Sequence, residues 1–261
     1  MTNKGNVGDF LTIINRINKL EKPDFVIISG DLTEYGTEAE TQYFKACMLK
    51  FEVLVFLTPG NHDNYWDVGE KFTDYREYLN PPVLSPGEDT EYCDDYSFDY
   101  GDFHFISYNS GDSEGLTLKV EGLTNTQLAW MKADQKEAYD NGNGQKHTII
   151  FTHAPSVPNC AWEGREKYYG FYRDYSHTHN DVAFVNWLNG EDGANSEGLY
   201  VEAVFAGHTH QDFIFTQVNS QSINNPDFIS GNNAQSIYYH YYLDDNAFHI
   251  ETSSSCKLYS G

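Results

Sequence analysis

The sequence predicts a layered α/β fold in which mixed β-sheets are flanked by helices. Three observations carry that expectation. Segments with helical and strand-like hydrophobic spacing alternate as far as about residue 206, after which the pattern turns mostly β. Four of the strand-like runs end in polar residues of metal-ligand type, which suits strands that share one sheet edge. A content of 39% hydrophobic and 16% aromatic residues, with 20 Tyr and 17 Phe, supplies core material for 261 residues to fold as one domain over 1–261.

Phe10, Leu11, Ile13, Ile14, Ile17 and Leu20 recur at helical spacing, and Lys22-Pro23 closes that helix before the strand run Phe25 to Ser29. Thr37 followed by Glu40 is a capping box, and Ala39, Tyr43, Phe44, Cys47 and Met48 mark one face of the helix it opens. Glu52 to Thr58 reads as the second strand. Residues 64–94, rich in Tyr, Asp, Pro and Gly, form a long loop with a short helix around 69–79. Tyr96 to Tyr100 and Phe103 to Tyr108 flank Gly101-Asp102 as a hairpin. Thr124 with Gln127 is a second capping box, opening a helix that Asn141-Gly142-Asn143-Gly144 stops. The strand His147 to Thr152 leads into a second long loop, 155–180, and a helix over 181–189. Leu199 to Ala206 is a strand, followed by Phe213 to Gln217 and a closing hairpin over 237–252.

Charge narrows the function classes. Sixteen Lys and Arg against 39 Asp and Glu leave a net charge of -23, which repels nucleic-acid polymers and anionic membranes. The longest apolar runs fall far short of the roughly 20 residues that a membrane-spanning helix needs. Cys47, Cys93, Cys160 and Cys256 show no CxxC spacing, which removes zinc-ribbon and thioredoxin-like chemistry and leaves disulfide pairing open. No apolar run follows Met1, so no signal peptide is visible in this sequence.

The chemistry gathers in the strand-end residues: Gly30-Asp31, Gly60-Asn61-His62-Asp63, His153 and Gly207-His208-Thr209-His210. A carboxylate, an amide oxygen and several imidazoles brought to one edge suit Mn, Fe or Zn. Asp31 alone would read as a turn residue, and His153 alone as a satisfied core histidine. Their company, and the place of His153 at the end of an apolar strand, favours ligands.

These blocks resemble the calcineurin-like metallophosphoesterase family, whose order is Asp-x-His, Gly-Asp, Gly-Asn-His-Asp/Glu, His, Gly-His-x-His. Four of the five are present in order over roughly residues 10–217. Gly30-Asp31-Leu32-Thr33-Glu34-Tyr35-Gly36 further resembles the branch containing bacterial cyclic-nucleotide phosphodiesterases. The resemblance implies a sandwich of two mixed β-sheets flanked by helices and a centre of two metals. It implies Asp31 as the bridging ligand, Asn61, His153 and His208 completing one site, and His210 binding the other metal. His62 is implied as the residue that stabilises or protonates the phosphoryl group, oriented through a hydrogen bond to Asp63. Two divalent ions about 4 Å apart can clamp phosphoryl oxygens and activate water for in-line attack.

The family's Asp-x-His block has no counterpart here. The resemblance therefore implies a chain cut a few residues beyond that block, with the first core strand missing and one metal held firmly where two are expected in a longer form. A natural one-metal variant is the rival expectation. The functional expectation is a phosphodiesterase acting on a small nucleotide-like phosphate ester. A phosphomonoesterase and a catalytically inactive binding protein are the alternatives. Compartment and oligomeric state stay open, the acidic and Lys-poor composition being compatible with an extracytoplasmic bacterial protein.

Other residues have plainer expectations. His177-Thr178-His179 imitates the Gly-His-Thr-His block but follows no strand, and reads as a solvated loop. His104 and His249 should face solvent, and His147 and His240 carry no special signal. Tyr65, Trp66, Trp162, Tyr168, Tyr169 and Tyr172 could stack on a nucleobase or simply pack the long loops onto the body. Glu88-Asp89-Thr90-Glu91 and Asp94-Asp95 read as solvated faces.

Overall fold

The computed structural model describes residues 6–63, 73–79, 85–86, 94–110, 123–144, 146–153, 181–188, 199, 201–207, 214–216, 237–240, 243–244 and 247–248. Helix α1 (Asn6–Arg16) runs into one π-helical turn, Ile17–Glu21, which ends at Lys22 in the left-handed conformation, φ 44°. Strand β1 (Phe25–Ser29), α2 (Glu38–Met48) and β2 (Leu54–Thr58) follow. Next come α3 (Thr73–Leu79), β3 (Ser85–Pro86), β4 (Tyr96–Tyr100), β5 (Phe103–Ser107), α4 (Asn125–Asn141) and β6 (His147–Phe151). The remaining elements are α5 (Asp181–Leu188), β7 (Val201–Ala206), β8 (Ile214–Thr216), β9 (Ile237–His240), β10 (Leu243–Asp244) and β11 (Ala247–Phe248).

Among the described residues, β1 and β2 pair in parallel, Phe25 opposite Leu54 through Ser29 opposite Thr58. A seven-stranded mixed sheet has the order β3-β4-β5-β6-β7-β9-β8, with β5, β6, β7 and β9 parallel. β10 and β11 make a separate small hairpin. The expected loss of a first strand concerns residues ahead of those described.

Strand alternation sorts the core into layers. One face of β1 and β2 offers Phe25, Ile27 and Phe56, which pack against Tyr96, Phe98, Phe105, Ile149, Phe151 and Phe205 from the larger sheet. The space between the sheets is thus filled largely by rings. Phe56 lies on Phe98 with centroids 3.7 Å apart and planes 6° from parallel, while Phe25 meets Phe56, Phe98 and Phe105 edge-on. The other face of β1 and β2 is covered by α1, α2 and α3 through Phe10, Ile14, Phe44, Cys47, Tyr75 and Leu79. The outer face of the large sheet is covered by α4 and α5 through Leu128, Met131, Phe184 and Trp187. Helices, sheet, sheet, helices is the layered α/β sandwich that the sequence predicts.

Both capping boxes form: Thr37 with Glu40, and Thr124 with Gln127. On α2 the buried positions are Thr41, Phe44 and Cys47, whereas Ala39 and Tyr43 are exposed, so the helix is rotated from the expected face. Leu20 is also exposed, because the π-helical turn shifts the angular phase of α1 at its end.

Two expectations about polar residues are corrected. His104 is buried, because Nδ1 pairs with Asp99 at 2.8 Å and Nε2 with Asp134 at 2.9 Å. Asp94 and Asp95 are buried as well: Arg76 forks onto Asp94, and Asp95 accepts from the Asn109 amide and Gln127 Nε2. In each case a partner brought from a distant element offsets the desolvation that a sequence window cannot foresee. His249, Glu88-Asp89-Thr90-Glu91, the His177-Thr178-His179 segment, the six loop aromatics and Cys93, Cys160 and Cys256 lie outside the described residues. His147 is exposed and bonds Glu202, and Cys47 is a buried free thiol whose pKa burial raises.

Candidate metal centre

The parallel pairing of β1 with β2, and of β5, β6 and β7 with one another, puts their C-terminal ends on one side of the sandwich. Asp31 follows β1, Asn61 to Asp63 follow β2, and His153 follows β6. Here the two sheets are stitched together by Thr58 Oγ1 and Ser107 Oγ at 2.9 Å, and by Tyr96 donating to the Leu57 carbonyl at 2.8 Å.

Three donor atoms converge at this edge. His153 Nε2 lies 3.0 Å from Asn61 Oδ1 and 3.2 Å from Asp31 Oδ1. The other ring nitrogen, Nδ1, is 2.8 Å from the Ser29 carbonyl, which can only accept, so Nδ1 carries a proton. In the neutral ring Nε2 therefore points a lone pair at two oxygens. Such a set is satisfied by a cation placed among the three, or by a proton on Nε2. Burial acts to lower the His153 pKa, and the Asp31 carboxylate and the Ser29 carbonyl prevail and raise it. The donor set thus fits a divalent ion, with an imidazole, a carboxylate and an amide oxygen.

Close backbone approaches make the convergence possible. A Cβ on Gly60 would sit 2.1 Å from the Asp31 nitrogen and 2.4 Å from its Oδ1. Gly30, at φ +85°, would place a Cβ 2.6 Å from His153 Nδ1. Asp31 itself is held at φ 52°, in the left-handed region that few non-glycine residues occupy. The amide of Gly207, just before His208, donates to the His153 carbonyl at 2.7 Å, which brings the end of β7 to the same edge. His208 and His210 themselves lie outside the described residues. Among the described residues no group of three or more His, Cys, Asp or Glu side chains gathers on one point. Asp31 and His153 are joined there by the amide of Asn61.

Asp63 is placed differently from the expectation. Its carboxylate accepts from the amides of Leu32 (3.2 Å), Thr33 (2.8 Å) and Gly60 (2.8 Å) and from the Thr33 hydroxyl (2.9 Å). Its hydrogen-bonding capacity is filled by those four donors, so it does not bond the His62 ring. Burial and then the neighbouring Asp31 charge push its pKa up to about 6, against the pull of these hydrogen bonds. The His62 imidazole is instead held by the Glu34 carbonyl, 2.7 Å from Nδ1, and the His62 amide donates to Asp31 Oδ1 at 3.1 Å. Sequence reading missed Thr33, Glu34 and Ser29 as parts of the site. Two of them act through backbone carbonyls, which leave no side-chain signal, and Thr33 stood in the quoted block without a role.

The family model for calcineurin-like phosphoesterases matches residues 3–212, and the chain belongs to that family. Its members use divalent transition metals. The chain is 29% identical over 158 residues to "Glycerophosphodiester phosphodiesterase GpdQ" of Enterobacter lignolyticus, covering 60% of this chain and 49% of that protein. It is 29% identical over 145 residues to "Probable glycerophosphodiester phosphodiesterase GpdQ" of Arcobacter nitrofigilis, covering 55% and 46%. It therefore spans about half the length of these two relatives. A third, "Probable cyclic nucleotide phosphodiesterase" of Vesicomyosocius okutanii, is 24% identical over 238 residues, or 90% of this chain and 83% of that protein.

Proposed function

We propose that the protein is a metal-dependent hydrolase of phosphoric esters, acting as a phosphodiesterase on a small nucleotide-like diester. The observation that carries this reading is the approach of Asp31 Oδ1 and Asn61 Oδ1 to within 3.2 Å of His153 Nε2, with His62 held one residue away. The family and the names of its relatives support the same chemistry. The net charge of -23 favours a small ester over a polyanion, since positive charge would be local to the metal centre.

In this reading residues 1–261 are one domain, with segments 64–94 and 155–180 on the side of the site. Asp31, Asn61, His153 and His208 hold one Mn, Fe or Zn ion, and His210 with a share of Asp31 contributes to holding a second. When bound, the ions neutralise phosphoryl oxygens and activate water. His62, when protonated on both ring nitrogens, supplies the Nε2 proton to the phosphoryl or leaving-group oxygen and is left as the Nδ1–H form held by the Glu34 carbonyl. Asp63 joins the His62 turn to the Asp31 loop and keeps both in register.

Metal analysis beside kinetics tests these roles. Asn61→Ala, His153→Ala and His208→Ala should each lower metal content after Mn²⁺ loading and dialysis. His62→Ala should keep its metal while turnover falls by on the order of 10²-fold. Equal metal loss in His62→Ala makes it a ligand and overturns the assignment. Faster hydrolysis of p-nitrophenyl phosphate than of bis(p-nitrophenyl) phosphate would move the reading to a monoesterase, and no hydrolysis of either would sink it.

A further inference from the structure

The Thr33 side chain is the meeting point of the two loops that form the site. It is almost fully buried at 2% exposure. Its hydroxyl lies 2.9 Å from Asp63 Oδ1 and 3.2 Å from the His62 carbonyl, both acceptors, and accepts from the Gly36 amide at 3.0 Å. One hydroxyl proton and one lone pair thus tie the loop after β1 to the turn after β2. The contact with Gly36 closes a short ring of chain from Thr33 to Gly36. Glu34 sits inside that ring, and its carbonyl accepts a hydrogen bond from His62 Nδ1 at 2.7 Å.

We propose that Thr33 is a positioning residue for His62. Resting on the proposed function, the assignment is that its hydroxyl fixes the Glu34 carbonyl, and that the carbonyl fixes both the ring plane and the tautomer of the imidazole. Because a carbonyl only accepts, Nδ1 keeps its proton in the charged and the neutral ring alike, so Nε2 is the nitrogen that gives its proton to substrate and carries the lone pair afterwards. Without the hydroxyl, the buried Gly36 amide and one Asp63 oxygen lose a partner and the Thr33–Gly36 ring is free to reorganise. The Glu34 carbonyl then no longer selects one tautomer.

The experiment uses the whole chain and the variants Thr33→Val, which keeps the shape, and Thr33→Ser, which keeps the hydroxyl. Nitrogen-15 imidazole NMR of the metal-free proteins, with His62→Gln to assign the signals, should show His62 in the Nδ1–H form in wild type and Thr33→Ser, and a mixture of tautomers in Thr33→Val. With Mn²⁺ and bis(p-nitrophenyl) phosphate, Thr33→Val should lose about 10- to 100-fold in kcat, with KM and metal content within about twofold. Thr33→Ser should recover most of that loss. In a His62→Ala background the same Thr33→Val change should alter kcat by less than about twofold. A wild-type tautomer ratio in Thr33→Val, or an equal loss with and without His62, overturns the assignment. Should Thr33→Val not melt cooperatively, Thr33→Cys, with its weaker thiol donor, replaces it and is read in the same way. Absence of wild-type hydrolysis would defeat the proposed function, while the tautomer measurement would still decide the role of Thr33.

Discussion

Asp31 illustrates how a single side chain depends on its neighbours' lack of one. Its Oδ1 serves His153 Nε2 and the His62 amide together, and it reaches both only because the backbone at Gly60 passes against the Asp31 nitrogen. A methyl group at position 60 would be far inside contact distance of backbone atoms, which cannot swing aside as a flexible side chain would. Gly60→Ala should therefore push Asp31 out of the proposed ligand set, weakening Mn²⁺ binding at least tenfold and destabilising the fold by about 1–3 kcal/mol. Titration calorimetry and urea unfolding would show both effects. Full metal affinity in Gly60→Ala would mean that Asp31 is not held by this contact.

At the scale of elements, the joint between the β4–β5 hairpin and α4 turns on His104 from β5. Asp99 of β4 and Asp134 of α4 face its two ring nitrogens, and Lys146 pairs with Asp99 at 3.4 Å. Burial acts to lower the His104 pKa, but the two carboxylates prevail and raise it. The folded protein then holds this proton more tightly than the unfolded chain, whose imidazole titrates near 6.5. The stability contributed by the pair of contacts is full below about pH 6.5 and is lost as pH rises through the raised folded value. The expected outcome is a melting temperature that declines over that alkaline range in the metal-free wild type and declines less in His104→Gln. Parallel curves for the two proteins would show that His104 is not charged in the folded state.

For the molecule as a whole, the site stands where two sheets meet, and what holds the sheets together is a layer of rings. Phe56 is central to it, stacked on Phe98 and met edge-on by Phe25. It is 4% exposed, so its loss leaves a cavity between two rigid sheets that cannot collapse freely. Phe56→Ala should cost about 3–5 kcal/mol in unfolding free energy. Because β1 and β2 carry Asp31 and Asn61 while β6 carries His153, the same change should weaken metal binding from a distance. Calorimetric unfolding with and without Mn²⁺ would measure both. A loss under about 1 kcal/mol would show that the ring layer is not the main tie between the sheets.

The sequence by itself determined most of the helices and strands, both capping boxes and the places of Asp31, Asn61 and His153 at strand ends. These are written in local spacing, since a strand alternates its faces and a capping box spans four residues. The closing hairpin expected over 237–252 is instead divided: β9 joins the large sheet between β7 and β8, and only β10 and β11 pair with each other. Which face of α2 turns inward was legible only in part: Phe44 and Cys47 follow the pattern, whereas Ala39 and Tyr43 do not. Asp94, Asp95 and His104 looked like solvated positions, and only the approach of Arg76, Asn109, Gln127 and Asp134 along the chain's long-range contacts buries them. The tertiary structure alone decided that Asp63 binds the Asp31 loop and that the Glu34 carbonyl holds His62. The physical reason is that every residue carries the same backbone carbonyl and amide, so only their placement in space distinguishes the ones that orient a site.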